Sequence, residues 1–138
     1  FYALKSETQD LGREAGAHDR EAYFGLLERA DMRAVARIQR ARVPREYFGF
    51  FRTGIERAVV HGPVVFTDLG VVPSPDIVAE IADFLLRLQE IVWSCCSGLH
   101  ENSVVVSLRT SDPDAHAGRL IRSAVAGLGT AGGHGTMA

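Results

Sequence analysis

The sequence predicts an α/β fold, a mixed β-sheet packed against helices and preceded by a mostly helical linker segment. Three observations carry this. β-branched runs alternate with stretches of helical periodicity after about residue 58. Gly-Pro, Ser-Pro and Asp-Pro pairs punctuate those runs. Ahead of residue 58 the chain is rich in arginine and carries helical rather than alternating patterns.

Taken in order, Asp19 to Ala30 places Tyr23, Phe24, Leu26 and Leu27 among charges, as an amphipathic helix would. A second helix is expected from Asp31 to Ala41, and a third from Pro44 to Ala58 with proline in its first turn. In the third, Phe48, Phe51 and Ile55 are expected to share one face. Val59 to Gly70 reads as extended chain broken at Gly62-Pro63. Ser74 then supplies an N-cap and Pro75 the first helical position for a helix presenting Ile77, Ile81, Phe84, Leu85 and Leu88. Ile91 to Gly98 and Ser103 to Arg109 read as two strands joined by a polar turn through His100, Glu101 and Asn102. Asp112-Pro113 is expected to cap a last helix with Leu120, Ile121, Ala124, Val125 and Leu128 on its apolar face, followed by a glycine-rich loop.

Composition sets the limits of function. With 138 residues, 46% hydrophobic and 23% charged, the chain is about one globular domain. A net charge of −2 points away from a strongly basic nucleic-acid binder. No apolar run approaches the ~18 residues that span a bilayer, and no signal-peptide pattern opens the chain, so a cytoplasmic location without a membrane partner is expected. Adjacent Cys95 and Cys96 would point to opposite faces of a strand and read as reduced packing residues. The opening FYALKS, without an initiator methionine, reads as sequence cut from a longer protein.

The candidate site is the closing stretch GTAGGHGTMA. Glycines remove side chains where something must approach the backbone closely, although such loops also serve simply as turns. Upstream stands Ser107-Leu108-Arg109 at a strand end. Together, Val104 to Ala138 resembles the C-terminal, DHH-associated domain of DHH-family phosphoesterases, in which a serine-x-arginine strand end is followed by a helix and a glycine-glycine-glycine-histidine loop. Ala131-Gly132-Gly133-His134 occupies the loop, with alanine in the place of the first glycine. More weakly, Ser6-Glu7-Thr8 resembles the last metal-binding element of the catalytic DHH domain, with glutamate for the usual aspartate. The likeness is greatest to the oligoribonuclease and 3'-phosphoadenosine-5'-phosphate phosphatase branch.

That resemblance implies the following. Residues 1–31 would end a DHH catalytic domain, 32–58 would form a helical linker, and 59–138 would be a DHH-associated substrate-binding domain truncated at its C-terminus. The parent protein would be a manganese-dependent hydrolase acting on a short RNA or DNA oligonucleotide or a nucleotide phosphate, with the rest of the DHH domain as partner. Arg109, Ser107, Gly132, Gly133 and His134 would bind substrate. Arg109 and His134 are expected to face one gap as a phosphate clamp, with Arg109 offering a permanently charged planar fork. Glu7 would be one metal ligand of an incomplete site, so no manganese is expected on this chain and no turnover from it. The alternative is a nucleic-acid-binding or self-association module without hydrolysis, similar to domains appended to alanyl-tRNA synthetases; the segment around Glu7 favours the phosphoesterase.

Two further patterns are weighed with these. Arg33, Arg37, Arg40, Arg42 and Arg45 form an acid-free run in which Arg33, Arg37 and Arg40 could line one helix face toward a nucleic-acid backbone, but Lys5 is the one lysine against 14 arginines and a solvated linker is the favoured reading. Leu4, Leu11, Tyr23, Phe24 and Leu27 are expected to lack a native partner surface, which favours a homo-oligomer. His18, His61, His100 and His116 show no metal-ligand spacing and read as structural or exposed.

Overall fold

A computed structural model describes all residues, Phe1–Ala138, and divides into two compact units, Phe1–Val43 and Pro44–Ala138. The first holds α1 (Tyr2–Glu7), α2 (Ala17–Leu27) and α3 (Met32–Gln39). Asp31 caps α3 by accepting from the backbone N–H groups of Arg33 and Ala34 at 2.9 and 3.0 Å. Phe1, Tyr23 and Phe24 meet edge to face. Of the large apolar side chains in this unit Val35 alone is buried; Leu4, Leu11, Tyr23 and Leu27 are half-buried and Phe24 is exposed.

The second unit runs α4 (Arg45–Glu56), β1 (Val59–His61), β2 (Val64–Val71), α5 (Pro75–Leu85), β3 (Trp93–His100), β4 (Ser103–Thr110) and α6 (Ala117–Ala124). The sheet order is β1-β2-β3-β4. β1 and β2 form an antiparallel hairpin around Gly62-Pro63, where Gly62 takes φ +56. β2 and β3 pair in parallel through the α5 crossover, and β3 and β4 are antiparallel in full register. The sheet is therefore mixed, as the alternating pattern predicts.

Both faces of the sheet are used. On one, Val65, Leu69 and Cys96 pack with Ile77, Val78, Ile81, Ala82 and Leu85 of α5. On the other, Leu108 packs with Ala117 and Ile121 of α6, edged by Trp93, Cys95 and Val106. Cys95 and Cys96 thus serve opposite cores, as strand alternation requires.

Three expectations change in detail. The packing face of α4 is Tyr47, Phe50, Phe51 and buried Gly54, while Phe48 and Ile55 are exposed. The cause is Gly54: a Cβ there would lie 2.8 Å from Cγ2 of Ile81, so glycine lets α4 close on α5, and the Gly54 carbonyl accepts from Thr67 Oγ1 at 2.9 Å. This makes α4 part of the sheet's compact unit, which begins at Pro44 rather than at Val59. Finally, Asp112-Pro113 does not start the last helix. Asp112 closes a turn, accepting from the N–H groups of Asp114 and Ala115, and α6 begins at Ala117 after His116 in the left-handed region. α6 ends at Ala124, leaving Leu120 and Leu128 exposed.

Candidate functional site

β4 delivers Ser107 and Arg109 to the α5 face of the sheet. The Arg109 side chain is spent within the fold: Nε donates to Asp83 Oδ1 at 3.1 Å, and Nη1 to the carbonyls of Ala138 at 2.9 Å and Leu108 at 3.2 Å. Its side chain retains 12% of its accessible surface. Glu80, one helical turn before Asp83, has its carboxyl held above the usual range by burial and then by the Asp83 charge. Ser107 is buried, and its hydroxyl reaches the Ala138 carbonyl at 3.4 Å.

The glycine loop returns to β4 from the other direction. Thr136 O accepts from Thr110 N, and Leu108 and Ala138 exchange both backbone hydrogen bonds. His134 and Met137 close a tight turn through paired backbone bonds of 3.0 and 2.9 Å. Gly133 sits at φ +147, where a Cβ would lie 2.3 Å from Met137 O. A Cβ on Gly118 of α6 would in turn lie 2.4 Å from Gly133 O. These two glycines let α6, the loop and the chain's last residues close on one another. Gly132 is different, because nothing stands within 4 Å of its notional Cβ. Its backbone is open to an approaching group.

His134 lines a recess of about 100 Å³ with His116, Arg119 and Arg122, together with Gly118, Gly133 and Gly135. On the other side of the loop, Gly132 borders a wider apolar cleft of about 710 Å³ between Val104 and Val106 of β4 and Val125 and Leu128 after α6.

The expected clamp is therefore not assembled. Alternation along β4 turns Arg109 toward Asp83 on α5, whereas His134 stands over α6, which packs on the opposite face. The structure does bring His134 together with His116, Arg119 and Arg122, none of which the serine-x-arginine and glycine-histidine pattern singles out. A signal was present in their spacing, because positions 116, 119 and 122 advance by three and stay on one helix side.

Glu7 ends α1 with its side chain exposed, and its carbonyl accepts from Arg13 Nη2 at 2.9 Å. No group of three or more His, Cys, Asp or Glu side chains converges anywhere to hold a metal ion, so the residues present do not fit a manganese site. Arg33, Arg37, Arg40, Arg42 and Arg45 are all exposed, with Arg37 paired to Asp31 at 3.9 Å. No helix is long and apolar enough to cross a membrane.

No protein-family model matches the chain. Over its whole length it is 27% identical to an uncharacterized protein of Methanocaldococcus jannaschii, of which it spans 28%. Its fold is shared with the crystal structure of an exopolyphosphatase-related protein from Bacteroides fragilis, with a TM-score of 0.67 over 95% of this chain and 41% of that one, at 16% identity. The chain thus spans less than half the length of both proteins.

Proposed function

We propose that this chain is the substrate-binding part of a DHH-family phosphoesterase, presenting a nucleotide phosphate or short oligonucleotide to a catalytic domain. The observation that carries the reading is the order of parts at one end of the sheet: strand β4, helix α6, then a loop whose Gly132 backbone is open and whose His134 lines a basic recess. An open backbone N–H together with imidazole and guanidinium donors suits phosphate oxygens. The fold shared with an exopolyphosphatase-related protein supports the same class of ligand.

Within this reading the chain's own residues bind and orient. His134 donates to a phosphate oxygen, and Gly132 leaves room for it. Arg109 and Ser107 act as positioning residues, since both fix the end of the chain against β4 through the Ala138 carbonyl. No metal-dependent step is assigned to this chain, whose residues do not assemble a metal site.

Calorimetric titration of 3'-phosphoadenosine-5'-phosphate and of a short oligoribonucleotide into the chain tests the reading. Binding that falls several-fold in H134A, with no manganese-dependent release of phosphate or nucleotide, is the expected result. Absence of binding to either ligand, or wild-type affinity in H134A, would overturn it.

A further inference from the structure

The charge beside His134 comes from α6. From Ala115 to Ala138 the sequence contains no acidic side chain, yet it contains His116, Arg119, Arg122 and His134. All four line the same recess. Ala117 and Ile121 bury the other side of α6 against Leu108, so packing fixes which side of the helix Arg119 and Arg122 occupy. Gly118 lets the loop at Gly133 lie against the helix at a distance no side chain would permit.

The two guanidinium groups serve no visible structural purpose. Arg109 forms an ion pair with Asp83, but neither Arg119 nor Arg122 enters an ion pair or a side-chain hydrogen bond of the fold, and both are exposed. The nearest carboxylates along the chain, Asp112 and Asp114, lie in the turn before α6 and pair with neither. Three of the helix's first donors are already engaged, with Ala117 N bonded to Gly135 O at 2.9 Å and Arg119 N and Leu120 N to His116 O at 2.9 and 3.3 Å. Attraction for an anion therefore rests on the side chains. Two guanidinium groups one helical turn apart, with two imidazoles beside them, form a site for a multiply charged oxyanion.

We propose that the recess formed by His116, Arg119, Arg122 and His134 binds a phosphoryl group, with Arg119 and Arg122 supplying the charge that the serine-x-arginine pattern assigns to Arg109. This rests on the loop reading above and extends it to α6. The phosphoryl group could belong to a nucleotide or to an inorganic polyphosphate, since both present the same oxygens.

The test uses the whole chain, with pyrophosphate and 3'-phosphoadenosine-5'-phosphate titrated separately into wild type, R119Q/R122Q, H134A and the control R87Q, which alters an exposed arginine just beyond α5. Unchanged circular dichroism and urea midpoints are expected for R119Q/R122Q, because both side chains are exposed. The proposal expects this double variant to lose tenfold or more in affinity for both ligands while R87Q binds like wild type. Tighter binding of the nucleotide than of pyrophosphate identifies a nucleotide phosphate as the occupant, and equal or weaker binding identifies an inorganic polyphosphate. Wild-type affinity in R119Q/R122Q overturns the proposal, as does an equal loss in R87Q. If H134A loses affinity while R119Q/R122Q keeps it, the loop reading stands and the α6 site does not exist. The reverse pattern keeps the α6 site and removes the loop reading.

Discussion

Glycine is where single residues decide most about this site. Gly118 and Gly49 both lie in helices of the second unit, but an added Cβ meets the Gly133 backbone at 2.4 Å in the first case and open space in the second. G118A should therefore lower stability by about 1–3 kcal/mol, the usual cost of forcing bulk into a packed contact. G49A should raise it by about 0.5–1 kcal/mol through helix propensity. Urea midpoints at unchanged slope would check both, and a neutral G118A would show that the loop is not held by this contact. A pH effect belongs to the same scale. Burial pushes the Cys96 thiol up to about 12, with the neighbouring Cys95 and Asp68 adding to it, and also raises Cys95. A thiol with a raised folded-state value keeps its proton longer folded than unfolded. Its contribution is complete below the ordinary value near 9.0 and is lost as pH rises toward about 12. Stability should thus decline through that window, less steeply in C96A than in wild type, as equilibrium urea curves at several pH values would record. The opposite-face placement of the two cysteines was legible from adjacency in a strand. The placements of Arg109 and His134 were not, because a motif names residue types while the direction of a side chain depends on what packs against each face.

At the scale of elements, legibility followed local chemistry. α5 starts where its sequence says, with Ser74 accepting from Asp76 N at 3.2 Å and Pro75 in the first turn. The β3–β4 hairpin turns through Glu101 and Asn102, both with φ in the left-handed region at +45° and +67°. That backbone favours Asn-Gly, so E101N/N102G should stabilise the protein by about 0.5–1 kcal/mol, measurable as a raised urea midpoint with the slope unchanged. No gain would mean that the full β3–β4 register, not the turn, sets the hairpin. α6 and α4 were less legible for a tertiary reason. Asp112-Pro113 carries a good capping signal, but its turn is completed by Asp114 and Ala115, and the helix waits until Ala117 can reach Gly135 O. In α4 the aromatic residues outnumber the positions that can be buried, and Gly54, which fixes the choice, has no side chain for a hydropathy pattern to register.

For the whole molecule, burial is divided unequally between the two units. The second holds both hydrophobic cores, whereas the first buries one large apolar side chain, Val35. Apolar burial contributes roughly 25 cal/mol per Å² removed from water, so Phe1–Val43 must open at a lower free energy than Pro44–Ala138. Two probes separate them. The single tryptophan, Trp93, lies half-buried beside the α6 core and reports the second unit, while far-UV circular dichroism also registers α1, α2 and α3. Helical signal should begin to fall at lower urea than Trp93 fluorescence changes, which a single cooperative transition would not allow. Trypsin should cut first after Arg40 and Arg42, both exposed between α3 and α4, and leave a resistant piece containing Pro44–Ala138. That piece retains α6, the glycine loop and the recess, so it should bind pyrophosphate as the intact chain does. Coincident unfolding curves, or a tryptic product that no longer holds together, would mean that the first unit is needed to complete the second.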